Sequence, residues 1–105
     1  MKLQIKSTNL DLTSAIREYI ETKIGSLAKF VSRYEKKGAE LLARVEIART
    51  TNHHHKGDVY YAEVNIDNGQ NIARAECENA DIYAAIDNAQ DIVKRQLIKR
   101  KEQEK

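Results

Sequence analysis

The chain has 105 residues, enough for one domain around a single core and too few for two. One Cys excludes an internal disulfide, and the lack of Pro and Trp, with only four Gly, predicts long elements with few breaks. The net charge of +2 hides segregated signs: 11 Lys/Arg against 7 Asp/Glu in residues 1–60, one against 7 in 61–92, and 6 against 2 in 93–105.

KLQIKS alternates, with Leu3 and Ile5 on one side and Lys2, Gln4 and Lys6 on the other, which predicts a half-buried strand. After a turn at Ser7–Asn9, Asp11 or Thr13 can cap a helix whose apolar stripe is Ile16, Tyr19, Ile20, Ile24, Leu27, Phe30 and Val31. Gly25 weakens this helix, and RYEKKG ends it, with Gly38 suited to a left-handed residue in the connection. A second strand sets Ala43, Val45 and Ile47 against Arg44 and Glu46; a third sets Tyr60, Ala62, Val64 and Ile66 against Tyr61, Glu63 and Asn65. Between them TTNHHHKGD reads as a loop. Asn68-Gly69 signals a hairpin, because both residues tolerate positive φ. The fourth strand places Ala73, Ala75 and Cys77 inward, small enough for a helix to sit close. The last helix starts at Asn79 or Asp81 and buries Ile82, Ala85, Ile86, Ala89, Val93 and Leu97.

The expected architecture is α+β in the order β-α-β-β-β-α, a four-stranded sheet with two helices packed on one face. Residues 1–98 form the domain, and 99–105 form a basic, frayed tail. No apolar run approaches the roughly 20 residues that span a bilayer, and MKLQIKSTNLDLT lacks the apolar centre of a secretory signal. A cytoplasmic chain without a membrane partner is expected.

The last helix begins apolar and acidic and ends cationic, and this change bears on function. Lys94, Arg95, Lys99 and Lys101 fall outside its buried stripe, while the first helix contributes Lys23, Lys29 and Arg33, followed by Lys36 and Lys37. Side by side, the two sets would merge into one positive surface suited to nucleic acid. The plainer reading is a solvated charged face, helped at the helix C-terminus by the macrodipole. Lys23 lies inside the apolar stripe, so it either snorkels to the rim or is held for a partner.

Catalytic and metal readings find little support. His53-His54-His55 project in different directions, with no Cys or carboxylate pair at ligand spacing, so the loop is read as polar surface that with Lys56 could meet phosphate. Cys77 is a small buried hydrophobe, and Asp87 and Asp91 read as solubilising charge. No phosphate loop, nucleophile elbow or dinucleotide fingerprint is present, so no enzyme, cofactor or small-molecule substrate is expected.

Asp81-Ile82-Tyr83-Ala84-Ala85-Ile86-Asp87, then Arg95-Gln96-Leu97 and Lys99-Arg100-Lys101, resemble the closing segment of the ribosome hibernation promoting factors, also called ribosome-associated translation inhibitors or sigma-54 modulation proteins. LQIKSTNLDLTSAIREYIETKIGSL resembles the family's first strand and helix, including Thr13, Tyr19 and Lys23. The resemblance implies a β-α-β-β-β-α fold similar to a double-stranded-RNA-binding domain. It also implies binding to the small ribosomal subunit between head and body, across the paths of mRNA and the A- and P-site tRNAs. The rRNA-facing residues implied by the resemblance are Lys23, Lys29, Arg95, Lys99 and Lys101, and with Lys94 and Arg100 of the same basic end they make up the candidate rRNA-binding set. Where many members carry a Lys, this chain has Ile92, with Lys94 two positions later as a partial replacement. The chain reads as a short form, without the domain by which long forms pair ribosomes. The rival reading is a protein-interaction module acting on a transcription factor.

Overall fold

The computed structural model describes residues 1–35, 40–50 and 57–103. Alternation at Lys2–Thr8 becomes strand β1, and two short helices follow, α1 at Ser14–Gly25 and α2 at Ala28–Glu35. Strands β2 (Leu42–Thr50), β3 (Val59–Asp67) and β4 (Asn71–Asn79) precede the long helix α3 (Ile82–Gln103). The sheet runs β1-β2-β3-β4, with β1 parallel to β2 across the helical crossover and the other pairs antiparallel.

Pairing carries the sequence alternation from strand to strand. Ile5 lies beside Val45, Val45 opposite Val64, and Val64 opposite Ala75. One face therefore collects Ala43, Val45, Ile47, Ala62, Val64, Ile66, Ala73 and Ala75, all buried in the same cluster as the helices' apolar stripes. Ala85 and Ala89 of α3 are fully buried, and with alanines facing them from β4 the helix axis sits close to the sheet. The opposite face is open and polar, in the manner of a half-solvated sheet.

The expected first helix is interrupted. Ser26 caps α1, its hydroxyl donating to the Lys23 carbonyl at 2.6 Å. The Leu27 amide then reaches back three residues to the Ile24 carbonyl, and the Phe30 amide to that of Leu27. Gly25 favours this break through its poor helix propensity, and Ser26 does so by diverting a backbone acceptor. The apolar stripe survives it, since Ile20, Ile24, Leu27 and Val31 are essentially inaccessible.

Thr13 is the N-cap of α1, accepting from the Ile16 amide at 3.2 Å. Asp81 caps α3, accepting from the Tyr83 amide at 2.9 Å. The β3–β4 hairpin differs in detail from the Asn-Gly expectation, because only Gly69 has a positive φ there, +100°. Asp67 pairs with Asn71 and Ile66 with Ala73, leaving Ile72 as an unpaired bulge residue. Ile72 and Ala73 are consequently both buried. Residues 99–103, placed in a tail by sequence, continue α3 as helix with Lys99, Lys101, Glu102 and Gln103 exposed.

Candidate nucleic-acid interface

α1–α2 and α3 meet along a seam whose contacts climb both segments together. Near its start the Tyr19 and Tyr83 rings meet edge to face at 4.9 Å. Next, the Tyr19 hydroxyl donates to Asp87 at 2.5 Å, and Lys23 Nζ lies 3.3 Å from the same Oδ1. Further on, the Gln90 amide donates to the Ser26 hydroxyl at 3.2 Å. Lys94 Nζ then lies 5.8 Å from the Phe30 ring centroid, and the Arg100 guanidinium 5.8 Å from that of Tyr34. Residue numbers rise on both sides, so the helices run parallel and their C-terminal ends lie together. Two carboxyl-terminal dipole ends attract cations, which lowers the cost of gathering them here.

The seven sequence-predicted residues fall into distinct environments. Lys29 Nζ lies 5.2 Å from the Phe30 centroid, so this ring is shared by a lysine from α2 and one from α3. A cation beside a ring face gains modestly from the quadrupole and stays available to solvent. Lys101 follows Lys94 by seven residues, which returns it to the same side of α3. Arg95 and Lys99 stand about 100° and 140° further round, on the exposed outer face. No described carboxylate forms an ion pair with Lys29, Lys94, Lys99 or Lys101.

Lys23 and Arg95 differ. Arg95 pairs with Asp91 at 2.5 Å in an exposed one-turn contact, and such pairs contribute only about 0.3–0.5 kcal/mol. Lys23 resolves the choice between snorkelling and partnership in favour of a partner, its ammonium lying 5.6 Å from the Tyr19 ring centroid and 3.3 Å from Asp87 Oδ1. Asp87 thus holds partners across the seam, which its reading as solubilising charge did not include, while Asp91 stays a half-exposed surface charge. Their partners stand on a separate helix or one turn away, and only the first of these distances needs the fold. Lys36, Lys37, the His53–His55 loop and Lys56 lie outside the described residues, as does the Arg33 side chain.

Hydrogen bonding to Asp87, with burial adding to it, pushes the Tyr19 phenol from its usual 10.0 up to about 12. The folded state thus holds the phenolic proton more tightly than the unfolded chain. The contribution of this contact should be complete below pH 10 and fade as pH rises towards about 12. Denaturant titrations of wild type and Tyr19→Phe at several alkaline pH values should converge across that window; a constant difference would show that the contact is not proton-linked.

Gln96 is a functional candidate that sequence reasoning missed. Its side-chain amide accepts from the Arg74 amide at 2.9 Å and donates to the Arg74 carbonyl at 2.9 Å. It stands in for a neighbouring strand at the free edge of β4, and so fixes the rotation and height of the basic half of α3. Among the described residues the open sheet face offers no comparable cationic surface. Arg74 is shared by Glu63 and Glu76, and Arg44 pairs with Asp67 at 3.1 Å. Tyr61 donates across strands to Glu76 at 2.9 Å, in keeping with a packing role. Burial, and then Glu76, push the Cys77 thiol up, so it is a poor nucleophile. Among the described residues no group of three metal-binding side chains assembles, and no helix is long and apolar enough to cross a membrane.

Fold and surface together define a small α+β domain in which a parallel helix pair gathers cations at one end of a mixed sheet. The Thermus thermophilus Protein Y N-terminal domain has the same fold, with a TM-score of 0.71 and 31% identity over 95% of this chain and 99% of that one. The profile described as Sigma 54 modulation protein / S30EA ribosomal protein matches residues 3–105, and the chain belongs to that family. The ribosome hibernation promoting factor of Escherichia coli is 30% identical over 102 residues, 97% of this chain and 95% of the relative. The ribosome hibernation promotion factor of Deinococcus radiodurans is 34% identical over 96 residues, 91% of this chain. That match spans about half of the Deinococcus protein, 47% of its length.

Proposed function

We propose that this chain is a non-catalytic cytoplasmic protein that binds the small ribosomal subunit and silences idle ribosomes by occupancy. It fills the channel between head and body and so denies mRNA and the A- and P-site tRNAs their places. The observation that carries this reading is the convergence of Lys29 and Lys94 on one aromatic ring, with Lys99, Arg100 and Lys101 on the same end of α3. Family membership and the names of the relatives support the ribosome as the target. Affinity comes mainly from phosphate neutralisation with release of counterions, and specificity from the shape of folded rRNA rather than from a base sequence.

Occupancy makes a direct prediction. Added to small subunits carrying a fluorescent tRNA in the P site, the protein should release the label in proportion to its own binding. Saturated binding with full retention of tRNA would reject occupancy. Capture of a protein partner that survives nuclease digestion, without subunit binding, would support the transcription-factor reading instead.

A further inference from the structure

We infer that Asp87, held in place by Tyr19, withdraws Lys23 from the RNA-facing set and marks the boundary of the footprint, so that phosphate contact begins at Lys29. This rests on the ribosome-binding reading and refines which surface does the binding.

Three observations converge. Asp87 Oδ1 takes the Tyr19 hydroxyl and the Lys23 ammonium together, at 2.5 and 3.3 Å. The Tyr83 ring braces Tyr19 edge-on, so the hydroxyl that anchors the carboxylate is itself fixed. Finally, the lysines Lys29, Lys94, Lys99 and Lys101 of the basic end have no such partner among the described residues.

The anchor decides the outcome. A surface ion pair alone is weak, and a phosphate could displace a mobile carboxylate from a lysine. Asp87 cannot swing aside without breaking its hydrogen bond to Tyr19. A phosphate arriving at Lys23 would therefore meet a fixed negative charge, and the pair as a unit releases no net counterion. Asp91 has no such anchor among the described residues beyond its own partner Arg95, which is 76% exposed at the side chain. Arg95 can leave its carboxylate and join the footprint at little cost. The two pairs look alike as pairs and differ in what holds the anion.

The test is small-subunit co-sedimentation of the full chain across a salt series. Lys94→Met should lower the slope of log affinity against log salt by about one unit, the mark of one lost phosphate contact. Lys23→Met should leave slope and affinity as in wild type, within about twofold, a change below the weight of one phosphate contact. Asp87→Asn keeps the side-chain shape and should steepen the slope by about one unit, as Lys23 becomes available. A purely structural triad would alter stability and leave every slope alone. The inference is overturned by a slope for Lys23→Met as shallow as that of Lys94→Met, or by an unchanged slope for Asp87→Asn in a protein that retains its circular dichroism. Tyr19→Phe gives a second route: freeing the carboxylate without removing it should move the slope in the Asp87→Asn direction, and no movement counts against the anchor. Wild-type binding that ignores salt altogether would instead remove the ribosome-binding reading.

Discussion

Replacing Lys29, Lys94 and Lys101 together by Gln should weaken small-subunit binding on the order of 10²-fold at about 0.15 M salt and flatten the salt slope by two to three units. Each lysine reaches solvent without a carboxylate partner among the described residues, so each is counted as one phosphate contact. The three come from two helices whose parallel run puts their C-terminal ends together. The loss should be nearly additive, because they share a surface without forming ion pairs with a common group. Glutamine removes the charge but stays polar and favours a helix about as well as lysine, so circular dichroism and the denaturation midpoint should stay close to wild type. Co-sedimentation with purified subunits at several salt concentrations measures both quantities. A triple variant that binds with the wild-type slope would show that RNA is held elsewhere on the molecule.

Leu27→Ala should destabilise the fold by about 2–5 kcal/mol, a large share of the roughly 5–15 kcal/mol that a domain of this size commands. Leu27 is fully buried at the break between α1 and α2, where its amide and carbonyl close the two short-range turns. Truncating it leaves a void at the point that aims α2, and with α2 the pair Lys29 and Phe30. Urea denaturation should show a lower midpoint at an unchanged m-value, and subunit binding should weaken as well. Ile92→Ala provides the contrast: this side chain is 36% exposed on α3, and its loss should stay within about ±0.5 kcal/mol. Comparable costs at the two positions would mean that the burial pattern does not govern stability here.

Much of the architecture was readable in advance. The stripe Ile82, Ala85, Ile86, Ala89, Val93 and Leu97 is the buried set of α3 residue for residue, because helical periodicity and apolarity already specify one face. The alternation in all four strands likewise reappears in the burial of the sheet. The break after Gly25 was only half visible. Gly and Ser announced weakness, but the competing hydrogen bonds at Lys23 and Ile24 settle where the helix stops. The bulge at Ile72 left no mark in composition, since it arises from how the hairpin closes between Asp67 and Asn71.

Periodicity, capping residues and charge segregation thus specified the elements, their buried faces and the cationic end of the last helix, because these depend on neighbours within a few positions along the chain. Which cations stand together across the seam, and that Lys23 is neutralised there, depended on approach across 64 or more residues, as between Ser26 and Gln90 or Tyr19 and Asp87. No local pattern encodes such distances. They follow from a parallel helix pair fixed over a mixed sheet, where Phe30 gathers two lysines, Gln96 docks on the edge of β4, and Asp87 takes Lys23 for itself.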